Sequence, residues 1–114
     1  MTDDEARRLG EEFGIVVDSV DEEIQRELKM QRPEGVAVFE VIAGTPADSA
    51  GIKVRAVIKE IDKYEVRNLK DFGIALKRTK DSCNYTVGTY EPADPDTQGV
   101  AGVINFHFVG CKQD

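Results

Sequence analysis

Residues 43–52, Ala43-Gly44-Thr45-Pro46-Ala47-Asp48-Ser49-Ala50-Gly51-Ile52, constrain the fold of this chain more than any other stretch. The ring of Pro46 presets φ for a first helical position, where its missing N–H would have no partner anyway. Gly51 can take the left-handed conformation that stops a helix, and Gly44 frees the backbone for the turn before it. The stretch therefore reads as a tight turn, one helical turn and a stop. An apolar strand, Val36–Ile42, leads into it, and a second, Ala56–Ile61, follows. Short strands punctuated by short helices are an α+β pattern.

Composition sets the outer bounds. At 114 residues, 40% apolar and 32% charged, the chain is sized for one globular domain. It contains no apolar run of the roughly 18 residues that a membrane helix needs, so no direct membrane insertion is expected. The N-terminus is acidic and lacks the basic and then apolar order of a signal peptide. If a parent protein is exported, this chain is expected to be an excised piece of it. A net charge of −7 opposes nucleic acid, whose phosphates need a basic face. The acid is uneven: residues 3–23 carry Asp3, Asp4, Glu5, Glu11, Glu12, Asp18, Asp21, Glu22 and Glu23 against Arg7 and Arg8. This is either a solvated surface or an acidic rim that selects basic ligands.

Residues 1–12 read as a helical or frayed lead-in without a clear apolar face, and residues 13–112 as the domain. A strand is expected at Phe13–Asp18. Asp21 can cap a short helix, Glu22–Lys29, with Ile24 and Leu28 turned to the core. Pro33-Glu34-Gly35 breaks the chain before the strand at 36–42. After the strand at 56–61 come a turn and a short return strand, Asp62–Val66. Asn68 can cap the helix Leu69–Lys77, whose end carries Lys77, Arg78 and Lys80 to suit the helix dipole. Asn84–Tyr90 and Val100–Val109 read as the last two strands, joined by a polar loop.

Residues 13 to about 80 resemble the PDZ domains of bacterial Do-like (HtrA-type) serine proteases, most closely the second PDZ. The residues that carry the resemblance run in the permuted bacterial order. They are Phe13-Gly14-Ile15, the helix Asp21–Leu28, the strand Gly35–Val41, the Gly44-Thr45-Pro46-Ala47 turn, the Val57-Ile58 strand and the helix Asn68–Leu76. The resemblance implies a partly open β-barrel of five to six strands with two helices. It implies binding of extended peptides, at a free C-terminus, by strand addition to a sheet edge. Phe13, Gly14 and Ile15 then form the carboxylate loop, and Ile15, Val16 and Val17 offer the edge. Leu69, Gly73 and Leu76 form the facing wall, while Phe72 and Ala75 turn to the core. Gly73 reads two ways: as a deepened pocket for an apolar terminal side chain, or as close helix–strand packing.

Several residues depart from the family pattern. Val54-Arg55-Ala56 stands where the family has a Gly-Asp, and Asp62-Lys63 where it has Asn-Gly. Left-handed backbone is therefore expected at Asp62 or Lys63. Glu11 and Glu12 stand where a basic residue often precedes the carboxylate loop. Each opposes a bound carboxylate by about 1 kcal/mol per close, solvated pair.

Cys83 and Cys111 flank the last two strands, and a hairpin centred near residue 97 sets them opposite each other. Placing Tyr85 and Val87 on one face with Phe106 and Phe108 needs a register off by one. A disulfide and two reduced thiols both remain open. His107, between Phe106 and Phe108, alternates to the opposite face and is expected at the surface. No nucleophile motif, metal-ligand spacing or cofactor motif is present, so no catalytic residues, metal or cofactor are expected.

The resemblance thus implies a non-catalytic peptide-binding module of a larger extracytoplasmic, periplasmic serine protease engaged in protein quality control. Its partners would be peptide or protein C-termini, misfolded proteins, and neighbouring subunits or domains of the parent. The alternative is an assembly or regulatory domain with a weak or vestigial groove, or the PDZ of another exported or membrane protease.

Overall fold

The computed structural model describes residues 1–79, 82, 84–91 and 104–110. Ten elements follow in order: α1 (Asp3–Phe13), β1 (Ile15–Ser19), α2 (Glu22–Glu27), β2 (Val36–Val41), α3 (Pro46–Ala50), β3 (Val57–Ile61), β4 (Tyr64–Glu65), α4 (Leu69–Thr79), β5 (Tyr85–Tyr90) and β6 (Ile104–Val109). The described helices number four, not two, because the lead-in and the turn segment are both helical.

The strands form one antiparallel sheet in the order β1-β2-β3-β5-β6, with β4 pairing β3. It is open, since β1 and β6 do not pair. β1 meets β2 with a register shift between Val16 and Val17, which bends the strand at the mouth of the domain. The main core lies between the sheet, α1 and α4 and includes Ile15, Val36, Val38, Ile58, Ile61, Phe72 and Val87. A smaller cluster, Val20, Leu28, Met30, Ala37 and Val57, lies beneath α2. Leu28 is buried as expected, whereas Ile24 packs at the margin.

Local chemistry explains the turns. Pro46 opens α3, the Thr45 hydroxyl accepts from the Asp48 N–H at 3.3 Å, and the Asp48 carboxylate accepts from the Gly44 N–H at 2.9 Å. Gly51 ends the helix at φ 82°. Asp21 and Asn68 cap their helices by accepting from Ile24 N–H at 2.8 Å and Asp71 N–H at 2.9 Å. The missing glycines leave strained backbone: Arg55, Asp62 and Lys63 have φ of 75°, 46° and 75°.

The β5–β6 hairpin corrects one expectation. Tyr85 pairs Val109 and Val87 pairs His107, and the described β5–β6 ladder runs without a bulge, in the register without the one-residue offset. Phe106 and Phe108 consequently face outward, each 61% exposed. The side chain of His107 turns inward and is 12% exposed. Its Nε2 lies 2.8 Å from the Glu91 Oε1 and its Nδ1 3.3 Å from the Ala50 carbonyl oxygen. Both partners are oxygen acceptors within reach of a ring N–H. The contact ties β6 to α3. Cys83 and Cys111 lie outside the described residues, as do Lys80 and the loop after Glu91.

Candidate functional site

The expected site residues come together on two facing elements. β1 holds Ile15, Val16 and Val17, and α4 presents Leu69, Gly73 and Leu76. Ile15 and Val17 are buried, and so are Leu69, Gly73 and Leu76. β1 is terminal in the sheet order, so its second edge carries no strand. We term the space between β1 and α4, into which α1 packs, the trough.

α1 lies in this trough. A methyl group at position 73 would stand 2.9 Å from the Ala6 Cβ and 2.8 Å from the Met1 Sδ. One at position 10 would stand 3.0 Å from the Phe72 ring and 3.3 Å from the Ile15 carbonyl oxygen. Real Cβ atoms scarcely ever sit so close, so Gly10 and Gly73 are what let the helix settle onto α4 and β1. The packing face of α1 is Ala6, Leu9, Gly10 and Phe13. Their spacing is i, i+3, i+4, i+7, an amphipathic period. Sequence reasoning missed it because alanine and glycine carry little hydrophobic signal among so many charges. Met1 adds its side chain at the far end. One depression, about 430 Å³, opens along the outer seam between Met1, Glu5, Ile74, Lys77 and Arg78.

Phe13 and Gly14, expected to form part of the carboxylate loop, are engaged in the same helix and its cap. Phe13 is the last residue of α1 rather than the first of a strand. Gly14 is its left-handed cap at φ 118°, and its N–H donates to the Gly10 carbonyl at 2.8 Å. The Gly14 carbonyl accepts from the Ile42 N–H at 2.7 Å, and a side chain on Gly14 would collide with Thr45. Gly14 thus belongs to two turns at once, the end of α1 and the start of the turn before α3.

Electrostatics fasten the helix at one point. The Arg7 guanidinium donates to the Asp18 carboxylate at 3.0 Å and to the Asp4 carboxylate at 3.0 Å. The Ser19 N–H, and after it Arg7, holds the Asp18 carboxyl below its ordinary range. Glu11 and Glu12 are exposed on the last turn of α1. Among the described residues no group of three acidic, histidine or cysteine side chains could hold a metal, and no helix is long and apolar enough to cross a membrane.

Comparison with solved structures decides the architecture. The HtrA3 PDZ domain bound to a phage-derived ligand, FGRWV, superposes with a TM-score of 0.61 at 12% identity, over 86% of this chain and 81% of that one. This is a PDZ fold. The HtrA-type protease AlgW with a decapeptide gives a TM-score of 0.63 at 19% identity, over 86% of this chain and 27% of AlgW. The PDZ fold here therefore spans about a quarter of the length of that protease. No protein-family model and no curated protein matches the chain. In this chain α1 packs between β1 and α4.

Proposed function

We propose that the chain is a non-catalytic peptide-binding module, taking an extended segment with a free C-terminus between β1 and α4. What supports this is the sheet edge: β1 is terminal in the strand order, with no strand on its second side among the described residues, and α1 packs against both β1 and the apolar α4. The HtrA3 PDZ domain that superposes on this chain is bound to the ligand FGRWV, and the AlgW protease structure is with a decapeptide. In this reading the β1 edge supplies backbone hydrogen bonds. The Phe13-Gly14-Ile15 loop supplies N–H donors to the terminal carboxylate, and Leu69, Gly73 and Leu76 receive the last apolar side chain. A parent protease of the HtrA type, working outside the cytoplasm, is the setting in which such a module would hold misfolded substrates.

A second reading is supported by α1. A trough that stays filled makes the domain an assembly or regulatory element, with the exposed Phe106 and Phe108 as contact surface for a neighbour. Titration with a panel of pentapeptides ending in Val, Leu, Ile, Phe or Ala separates the two. Saturable binding lost on amidating the peptide C-terminus, and lost in Leu76→Arg with the fold retained, supports peptide capture. No binding at millimolar peptide supports assembly.

A further inference from the structure

The start of α1 is well specified by the Thr2 cap and three first-turn carboxylates, but its C-terminal end is poorly specified as a helix. Gly10 sits in its interior, and its last turn holds Glu11 and Glu12 with no basic residue. Interior glycine disfavours a helix, and carboxylates at the C-terminal end meet the negative pole of the dipole. Docking is what holds that end together.

That docking is narrow. Ala6 and Gly10 contribute close contact but little apolar area, and Phe13 is the one large buried side chain of α1. The Arg7–Asp18 ion pair lies at the surface and is screened by salt. None of the β1–β2 ladder passes through α1. Release of the helix leaves that pairing whole.

The third observation is chemical. The Gly14 N–H, which the carboxylate loop needs, already donates to the Gly10 carbonyl. Phe13 lies inside the last helical turn. One N–H cannot end a helix and meet a carboxylate at the same time. The Ile15 carbonyl, an acceptor on the outer edge of β1, is covered by Gly10.

Resting on the peptide-binding reading above, we infer that α1 is an autoinhibitory gate: helix and ligand compete for the β1–α4 trough, and unwinding the last turn of α1 frees the Gly14 N–H for the ligand carboxylate. The closed state is the one described. In the open state Gly14 is the hinge, already in a conformation that only glycine adopts easily. A ligand that binds only the open state has its affinity reduced by the open fraction. Substitutions that loosen α1 without touching β1 or α4 must therefore tighten binding.

The test uses the full chain carrying Ala6→Glu or Arg7→Glu. The chain has no tryptophan, so the indole of FGRWV reports its own binding, and the same panel of free-acid pentapeptides extends the search. With the open state a minor one, Ala6→Glu is expected to tighten binding ~10- to 100-fold and Arg7→Glu by less. In the unmodified chain, saturating peptide is expected to speed hydrogen exchange of the α1 amides while α4 stays protected. Equal affinity in all three proteins, with α1 protection unchanged by peptide, overturns the gate and leaves peptide binding standing. Folded variants whose α1 exchanges freely and which still bind no peptide overturn the peptide-binding reading, and the gate with it. If Ala6→Glu does not fold, Arg7→Glu and the exchange experiment on the unmodified chain decide the matter.

Discussion

Ala6 rests on Gly73 so closely that a methyl group at position 73 would stand 2.9 Å from the Ala6 Cβ and 3.0 Å from its Cα. Two residues with almost no side chain thus set how deeply one helix sinks onto another. The contact makes Gly73 a helix–helix packing residue, where its sequence position suggested a ligand pocket or packing of helix on strand.

Gly73→Ala follows from it directly. In an isolated helix this change is favourable by about 1 kcal/mol. Here the added carbon meets the Ala6 backbone, and overpacking of this kind costs about 1–3 kcal/mol. The expected outcome is a net loss of about 1 kcal/mol in urea unfolding, with faster exchange confined to α1. A gain in stability with α1 still protected would mean that the crossing is loose.

Two glycines in left-handed backbone should respond differently. At Gly44, φ is 80° and nothing lies within 4 Å of an added carbon, so Gly44→Ala costs only the backbone term, about 1 kcal/mol. At Gly14, φ is 118° and the carbon strikes Thr45. Gly14→Ala should cost about 3 kcal/mol or more, since strain and overlap add. Paired denaturation curves check the ranking.

His107→Ala leaves the Glu91 carboxylate, 6% exposed, with Thr89 alone to face. A buried acceptor stripped of its donor costs about 1–3 kcal/mol. Glu91→Gln should be milder, and the double substitution less than additive, because the two groups share one contact. Unfolding free energies of the cycle measure it.

Acid should loosen α1. The Asp18 carboxyl sits below its ordinary value of 3.8, through the Ser19 N–H first and Arg7 second. A carboxyl lowered by folding contributes stability above its unfolded value and loses it as pH falls through the folded one. The Arg7 contact therefore persists at neutral pH and fades only as pH falls through the folded value, which lies below 3.8. Amide shifts of residues 4–10 should report this step, and Asp18→Asn should remove it.

Much of the fold was legible because it is written in local chemistry. Pro46 and Gly51 mark α3, Asp21 and Asn68 mark their helices, and apolar runs mark β2 and β3. The left-handed backbone at Asp62 and Lys63 could be foreseen from the glycines that are missing. The outward turn of Phe106 and Phe108 could not. Aromatic residues in alternation name a face without saying which face is inner, and the His107–Glu91–Ala50 contact settles that choice through partners distant in sequence. The two elements that flank the trough were legible, the strand at Ile15–Val17 and the helix at Leu69–Leu76. What fills it was not, since Ala6 and Gly10 act by being small, and smallness leaves no mark in a hydropathy pattern.

The contact between the Ala6 methyl and the Gly73 Hα gives the most direct measurement of the gate. In the free chain their nuclear Overhauser effect should be strong. At saturating FGRWV, or whichever panel peptide binds best, it should vanish and be replaced by contacts from the peptide's terminal side chain to Gly73 and Leu76. An Ala6–Gly73 effect that persists undiminished with peptide bound would contradict the competition of helix and ligand for one trough.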